Sequence, residues 1–276
     1  MTQLMKNNKT YTKITTHSLQ EMKRDGQKIA MLTAYDYSFA KLLDKANIDI
    51  LLVGDSASNV MGGHETTLPI TLDEMIYHAK SVIKGVNRSL VVVDLPFGSY
   101  QGNSKKALDS SIRIMKESGA HSVKLEGGSE VVDSIKRIID SGVPVMGHLG
   151  LTPQSIYKFG TYSVRAKETK EIEKIKKDAV ELEKAGCFAI VLEKIPATLA
   201  KEITKLVKIP IIGIGAGSDV DGQVLVMHDM LGLNTDFNPR FLRRYSDLAA
   251  IVNEAVTKYI SDVKTKTFPN KSEEYN

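Results

Sequence analysis

A chain of 276 residues can hold two average domains or one eight-fold α/β barrel of about 250 residues. Its 42% apolar and 25% charged residues are the proportions of a globular protein with a real core, and its net charge of +4 falls far short of the clustered excess of a nucleic-acid binder. The single cysteine, Cys187, excludes an intrachain disulfide and a thiolate zinc site. Lys6, Lys9 and Lys13 are followed by no apolar stretch of a secretory signal, and no run approaches the roughly 18 apolar residues needed to cross a bilayer. The expected compartment is the cytoplasm, with no membrane partner.

In chain order, a first β-branched run at 29–33 leads into a helical pattern at 38–46 and a second run at 48–53. A helix follows at 72–84, opened by Thr71 and Glu74 in capping-box spacing, then a strand at 90–93 and a helix at 104–118 ending at Gly119. Next come a strand at 122–126, a helix at 129–141 ending at Gly142, a strand at 143–146, and a helix at 169–185 ending at Gly186. In this last helix Ile172, Ile175, Ala179 and Leu182 share one face while Glu173 and Lys177 form an i,i+4 pair on a solvated one. A strand at 189–192, a helix at 197–207, strands at 211–214 and 223–226, and a final helix at 246–263 complete the pattern. Strands this apolar are covered on both faces, as in parallel sheets. Eight strand-loop-helix units close most economically as a (β/α)8 barrel, here a single domain over 1–276 with a short N-terminal extension and weakly ordered tails at 1–9 and 268–276.

Barrel chemistry sits at the C-terminal ends of the strands. Strand two runs into Asp55 and Ser56, strand three into Asp94, strand four ends in Lys124 and Glu126, strand five runs into His148, and strand six into Glu193. An aspartate after a strand is often a helix N-cap, but Asp55 precedes a long loop and Asp94 is followed by Leu95-Pro96-Phe97. Lys124 and Glu126, two apart in a strand, share one face while Val123 and Leu125 share the other. That face is either a structural ion pair or a cation for an anionic substrate beside a metal site. Carboxylate ligands without a Cys/His cluster favour magnesium over zinc, and magnesium needs only one or two of them besides waters and substrate oxygens.

Several longer runs resemble one family. They are Val53-Gly54-Asp55-Ser56, the stretch from Thr67 to His78, Asp94-Leu95-Pro96-Phe97-Gly98-Ser99-Tyr100, Val123-Lys124-Leu125-Glu126-Gly127-Gly128, Gly147-His148-Leu149-Gly150-Leu151-Thr152-Pro153-Gln154, Ile190-Val191-Leu192-Glu193, and Ile212-Gly213-Ile214-Gly215-Ala216-Gly217. In this order, from about Met31 to Tyr245, they are similar to ketopantoate hydroxymethyltransferase, also called 3-methyl-2-oxobutanoate hydroxymethyltransferase.

The resemblance implies a magnesium-dependent barrel enzyme that moves a one-carbon unit from methylenetetrahydrofolate to 3-methyl-2-oxobutanoate, giving ketopantoate for pantothenate synthesis. It implies Asp55 and Asp94 as metal ligands with Glu126 in or near the shell, Ser56, Asp94 and Lys124 as binders of the keto acid, and Glu193 as the base. It also implies a homo-oligomer, commonly a decamer. A 2-oxo acid can chelate Mg²⁺, which stabilises the enolate formed when the C3 proton leaves.

Other residues leave alternatives open. His148 either hydrogen-bonds the transferred group or is satisfied in packing behind it. Gly213, Gly215 and Gly217 read as a tight turn rather than a phosphate cradle, and 150–167, with Tyr157, Phe159 and Tyr162, is a candidate lid, a pterin-contacting flap, or a surface excursion. The chain departs from the family pattern in Ala57-Ser58-Asn59-Val60-Met61-Gly62-Gly63 and in Lys194 after Glu193. A second enzymatic reading makes Lys124, its pKa depressed by burial, a Schiff-base nucleophile. A non-catalytic reading, a nucleic-acid or scaffold protein, fails on lysines scattered among glutamates with no stacking platform.

Overall fold

Eight parallel strands, β1 (Ile29–Thr33), β2 (Ile50–Val53), β3 (Leu90–Asp94), β4 (Ser122–Glu126), β5 (Val145–Gly150), β6 (Ala189–Glu193), β7 (Ile211–Ile214) and β8 (Gly222–Leu225), pair in sequence order and close into a barrel when β8 meets β1. This computed structural model describes residues 13–275. The helices are α1 (Thr16–Arg24), α2 (Tyr37–Lys45), α3 (Ala57–Val60), α4 (Leu72–Gly85), α5 (Ser104–Ser118), α6 (Val132–Asp140), α7 (Ile156–Phe159), α8 (Thr169–Ala185), α9 (Ala197–Leu206), α10 (Met227–Met230) and α11 (Leu248–Lys264). Among the described residues no helix is long and apolar enough to cross a membrane.

The chain groups into two compact units, one running to Leu225 and one from Val226 onward. The first is the barrel. Strand parity divides its core into two layers. Leu51 and Val53, Val91 and Val93, Val123 and Leu125, and Ile190 and Leu192 face the helices, while Ile50, Leu52, Leu90, Val92, Met146, Ala189, Val191 and Ile212 fill the interior. By the same alternation Asp94, Lys124, Glu126, His148 and Glu193 fall on the interior side of their strands, at the C-terminal end.

The helices follow the local signals. Thr71 caps α4 in a reciprocal box with Glu74, and Gly119 and Gly186 end α5 and α8. Three strands begin and end where the residue pattern places them, and the others shift by one to four residues at an end. The expected helix at 129–141 opens instead as a 3₁₀ turn over Ser129–Val131 before α6, because the chain leaves β4 through Gly127 and Gly128. Short helices at 57–60 and 156–159 interrupt what the sequence reads as loops.

The N-terminal extension holds a helix that the sequence reading does not include. A capping box of Thr15 and Ser18 starts α1, and its Leu19, fully buried, joins the interior layer with Ile14 and Met22 packed beside it. Lys23 anchors α1 by donating to the carbonyls of Thr204, Val207 and Ile209 at 2.8–3.0 Å and pairing with Asp221 at 2.9 Å. Residues 204–209 span the last turn of α9 and the chain leading to β7, so α1 closes the N-terminal end of the barrel, opposite the strand ends where the acids gather. The expected tail at 1–9 lies outside the described residues.

In the second unit, α11 is capped by Asp247 and buries none of its residues, leaving Ile251, Val252, Val256, Tyr259, Ile260 and Val263 exposed. The stretch from Phe268 to Tyr275 is exposed throughout.

Candidate active site

Register sets the site. Parallel pairing puts Asp94 beside Lys124, Glu126 beside His148, and Gly150 beside Glu193 on adjacent strands. Asp55, Asp94, Lys124, Glu126 and His148 are all buried, and only Glu193 keeps part of its side chain, 16%, in solvent. The residues singled out in the sequence are thus brought to one mouth.

The Lys124 ammonium lies 2.9 Å from Asp94 Oδ1 and 3.3 Å from His148 Nδ1. Asp94 Oδ2 accepts from the backbone N–H of Asp55 at 3.1 Å, which ties the end of β3 to the turn after β2. His148 lies between two acids, with Nδ1 3.4 Å from Glu126 Oε1 and Nε2 3.3 Å from Glu193 Oε2. Ser56 Oγ is 2.8 Å from the hydroxyl of buried Tyr35 at the end of β1.

Burial and neighbours decide the protonation states. Burial pushes the Asp55 carboxyl well above its usual range, and the charges of Asp94 and Glu126 push it further. Burial raises Asp94 too, partly countered by Lys124. Burial alone would lower Lys124, but Asp94, Glu126 and Asp55 outweigh it and the pKa rises. This corrects the Schiff-base reading, which needs a depressed lysine: here the amine is held as a cation. For His148 burial and Lys124 both lower the pKa, yet Glu126 and Glu193 carry it up to about 9, so it is a cation at neutral pH.

Two residues to which the sequence reading assigns no role organise the mouth. Gln154, buried on the turn Pro153–Ser155, donates from Nε2 to Asp55 Oδ2 at 2.9 Å and to the Leu95 carbonyl at 3.0 Å, and its backbone N–H donates to Glu126 Oε2 at 3.0 Å. Its Oε1 accepts from the Tyr100 hydroxyl at 2.8 Å and from Gln101 Nε2 at 2.9 Å. The Tyr100 hydroxyl also accepts from the Glu126 backbone N–H at 3.1 Å, and burial raises its pKa well above 10, so it stays a phenol. Both lie within matching motifs, but nothing in a linear pattern shows that residues 55, 100, 126 and 154 meet.

The stretch 150–167 is joined to residues 193 and 194. Arg165 N–H donates to the Lys194 carbonyl at 2.8 Å, Lys194 Nζ donates to the Tyr162 carbonyl, and Leu151 N–H donates to the Glu193 carbonyl at 2.8 Å. Lys194 takes φ +45°, and the Arg165 guanidinium stacks 4.2 Å from the Phe159 ring centroid while pairing with Glu171 at 2.5 Å. Gly217 sits in the turn after β7 at φ +82°, where a Cβ would come within 2.4 Å of Ala197 Cβ. This is the tight turn expected there.

Asp55, Asp94, Glu126 and Glu193, if all ionised, carry four negative charges against the two positive charges of Lys124 and His148. The excess of two matches a divalent cation, and the donors are hard oxygens. Among the described residues no three His, Cys, Asp or Glu side chains stand in a metal-holding group, and Glu126 is engaged by Gln154 and His148. Asp55 and Asp94 are engaged as well, Asp55 Oδ2 by Gln154 and Asp94 by Lys124 and the Asp55 N–H, so the oxygens offered to such an ion are those of the Asp55, Asp94 and Glu126 carboxylates together.

Comparison with known proteins identifies the family. The profile of the family described as ketopantoate hydroxymethyltransferase matches residues 13–271. A 3-methyl-2-oxobutanoate hydroxymethyltransferase of Flavobacterium johnsoniae is 67% identical over 267 residues, covering 97% of this chain and 98% of its own, and one from Cytophaga hutchinsonii is 68% identical over 263 residues, covering 95% and 97%. A solved putative phosphonomutase from Burkholderia cenocepacia aligns with TM-score 0.62 at 16% identity, over 87% of this chain and 100% of its own, which speaks to the barrel fold alone. With the profile spanning nearly the whole chain and the motifs meeting at one barrel mouth, the chain belongs to the ketopantoate hydroxymethyltransferase family.

Proposed function

We propose that this chain transfers a hydroxymethyl group from methylenetetrahydrofolate to 3-methyl-2-oxobutanoate, forming 2-dehydropantoate for pantothenate synthesis. The observation that carries the reading is a buried lysine cation and a partly exposed glutamate at one barrel mouth, each 3.3 Å from His148. Such a mouth accepts a small anion and offers it a base.

Lys124, held cationic by its acids, draws the carboxylate of the keto acid into the barrel. Ser56, oriented by Tyr35, hydrogen-bonds the same ligand. Asp55 and Asp94 would hold a Mg²⁺ ion, with Glu126 adjacent; when bound, it supplies an electrophile that polarises the 2-oxo group and acidifies C3. Glu193 takes the C3 proton on its carboxylate, and the protonated His148 beside it stays in place as a fixed positive charge. Water breaks the two C–N bonds of the folate methylene carbon, supplying its oxygen and leaving tetrahydrofolate, while C3 forms its new bond to that carbon and the oxygen ends as the hydroxyl by taking up the proton that Glu193 removed. The stretch 150–167, hydrogen-bonded to residues 193 and 194, borders the base and is the flap we assign to the folate side. The homo-oligomer implied by the family is supported by the exposed apolar residues of α11, and light scattering after size exclusion reads it.

The purified chain should form 2-dehydropantoate only when the keto acid, methylenetetrahydrofolate and Mg²⁺ are all present, and EDTA should stop it. Product formation unaffected by EDTA, with borohydride trapping the keto acid on Lys124, would return the Schiff-base mechanism.

A further inference from the structure

We infer that Gln154 is a positioning residue that sets the Asp55 and Glu126 carboxylates for divalent-cation binding; this rests on the reading of the site just given. The side-chain amide is saturated: both Nε2 protons go to oxygens, Asp55 Oδ2 and the Leu95 carbonyl, and Oε1 takes two donors, Tyr100 and Gln101. Rotating the amide by half a turn would set Oε1 against a carboxylate and a carbonyl, so a single orientation survives. The same residue's backbone N–H holds Glu126 Oε2, and Tyr100, its partner at Oε1, accepts from the Glu126 backbone N–H. One buried residue therefore joins strand ends 2, 3 and 4 through three separate contacts, and each contact is to an acid or to the backbone beside one.

The consequence is ion selectivity as well as affinity. Mg²⁺ demands near-ideal octahedral geometry at short distances, whereas Ca²⁺ tolerates variable coordination. A carboxylate locked by a fixed amide favours the strict ion; a carboxylate free to rotate does not. Groups that orient ligands from behind typically carry about 10–100-fold in metal affinity.

The test uses the full chain and Mn²⁺ as a spectroscopic probe, measuring free ion by EPR and displacing bound ion with Mg²⁺ or Ca²⁺, without substrate. Gln154→Met keeps the side-chain length and the backbone N–H to Glu126 but removes the amide. Mg²⁺ affinity should fall about 10–100-fold, Ca²⁺ affinity should fall less, and the thermal midpoint serves as the folding check. Tyr100→Phe, which removes only the hydroxyl, should move the Mg²⁺ preference the same way by a smaller factor, and it decides the matter if Gln154→Met does not fold. Folded variants that bind Mg²⁺ as tightly as the parent, or that lose Mg²⁺ and Ca²⁺ equally, overturn the role of Gln154. A parent chain that binds no divalent ion overturns the reading of the site itself.

Discussion

Replacing Glu193 with glutamine isolates the proton-transfer step. Glutamine preserves the length of the side chain, an oxygen toward His148 Nε2, now at 3.3 Å, and the pairing of position 193 with Gly150 and Ile214 across β5 and β7. What disappears is a carboxylate that can accept a proton. Lys124 and Ser56, the proposed keto-acid binders, lie on β4 and after β2 and are untouched, so substrate affinity should change little. General-base catalysis contributes roughly 10²–10⁴-fold, equivalent to about 2.7–5.4 kcal/mol at about 1.36 kcal/mol per tenfold. The assay is loss of the C3 proton signal of 3-methyl-2-oxobutanoate in D₂O by NMR, with Mg²⁺ and no folate, which reports deprotonation without carbon transfer. The parent should exchange; Glu193→Gln should exchange slower by that factor while binding the keto acid normally by calorimetry. Asp94→Asn should lose both exchange and tight binding, because it strips the charge partner 2.9 Å from Lys124. Exchange in Glu193→Gln at the parental rate refutes the assignment of the base.

Three further outcomes follow from the geometry. Asp44 is buried and accepts from the backbone of Asn87, Arg88 and Ser89 and from the Ser89 hydroxyl; burial raises its pKa, but these bonds outweigh burial and hold it below 3.8. Its stabilisation is complete above the unfolded value near 3.8 and lost as pH falls through the lower folded value, so urea denaturation should show Asp44→Asn weaker by about 1.5–3 kcal/mol at pH 7, with the gap closing in acid. Gly150 adopts φ +95°, and a Cβ there would stand 2.2 Å from the Glu193 carbonyl, so Gly150→Ala should cost at least about 1–3 kcal/mol in chemical denaturation and cut turnover by displacing Glu193, the proposed base. Leu19→Ala should cost about 2–5 kcal/mol by leaving a cavity at the closed end of the barrel, yet leave kcat per folded molecule unchanged because the reacting mouth is at the other end.

The legible part of the site was the part written into strands. Lys124 and Glu126 had to share a face because side chains in a strand alternate, and the structure places both inside the barrel while Val123 and Leu125 pack outward. Asp94, His148 and Glu193 follow by the same parity at neighbouring strand ends. Less legible were contacts made by chain that leaves the strands. Gln154 reaches Asp55 across 99 positions of sequence, and Tyr100 reaches Glu126 across 26, through turns whose direction no periodicity encodes. The apolar signal of α1 was present in Ile14, Leu19 and Met22, but a helix of nine residues acquires its meaning only from the barrel end it covers.

Local sequence, then, was enough to establish eight strands, the helices that follow most of them and their caps, and the acids and lysine at strand ends, because alternation and capping are interactions among residues a few positions apart, although no helix separates β7 from β8. Closure of the barrel determined everything that depends on distance: which acid faces which cation, why Lys124 rises rather than falls in pKa, and how His148 comes to stand between Glu126 and Glu193. Those properties are electrostatic and act through space, so they exist only once β1 and β8 have met.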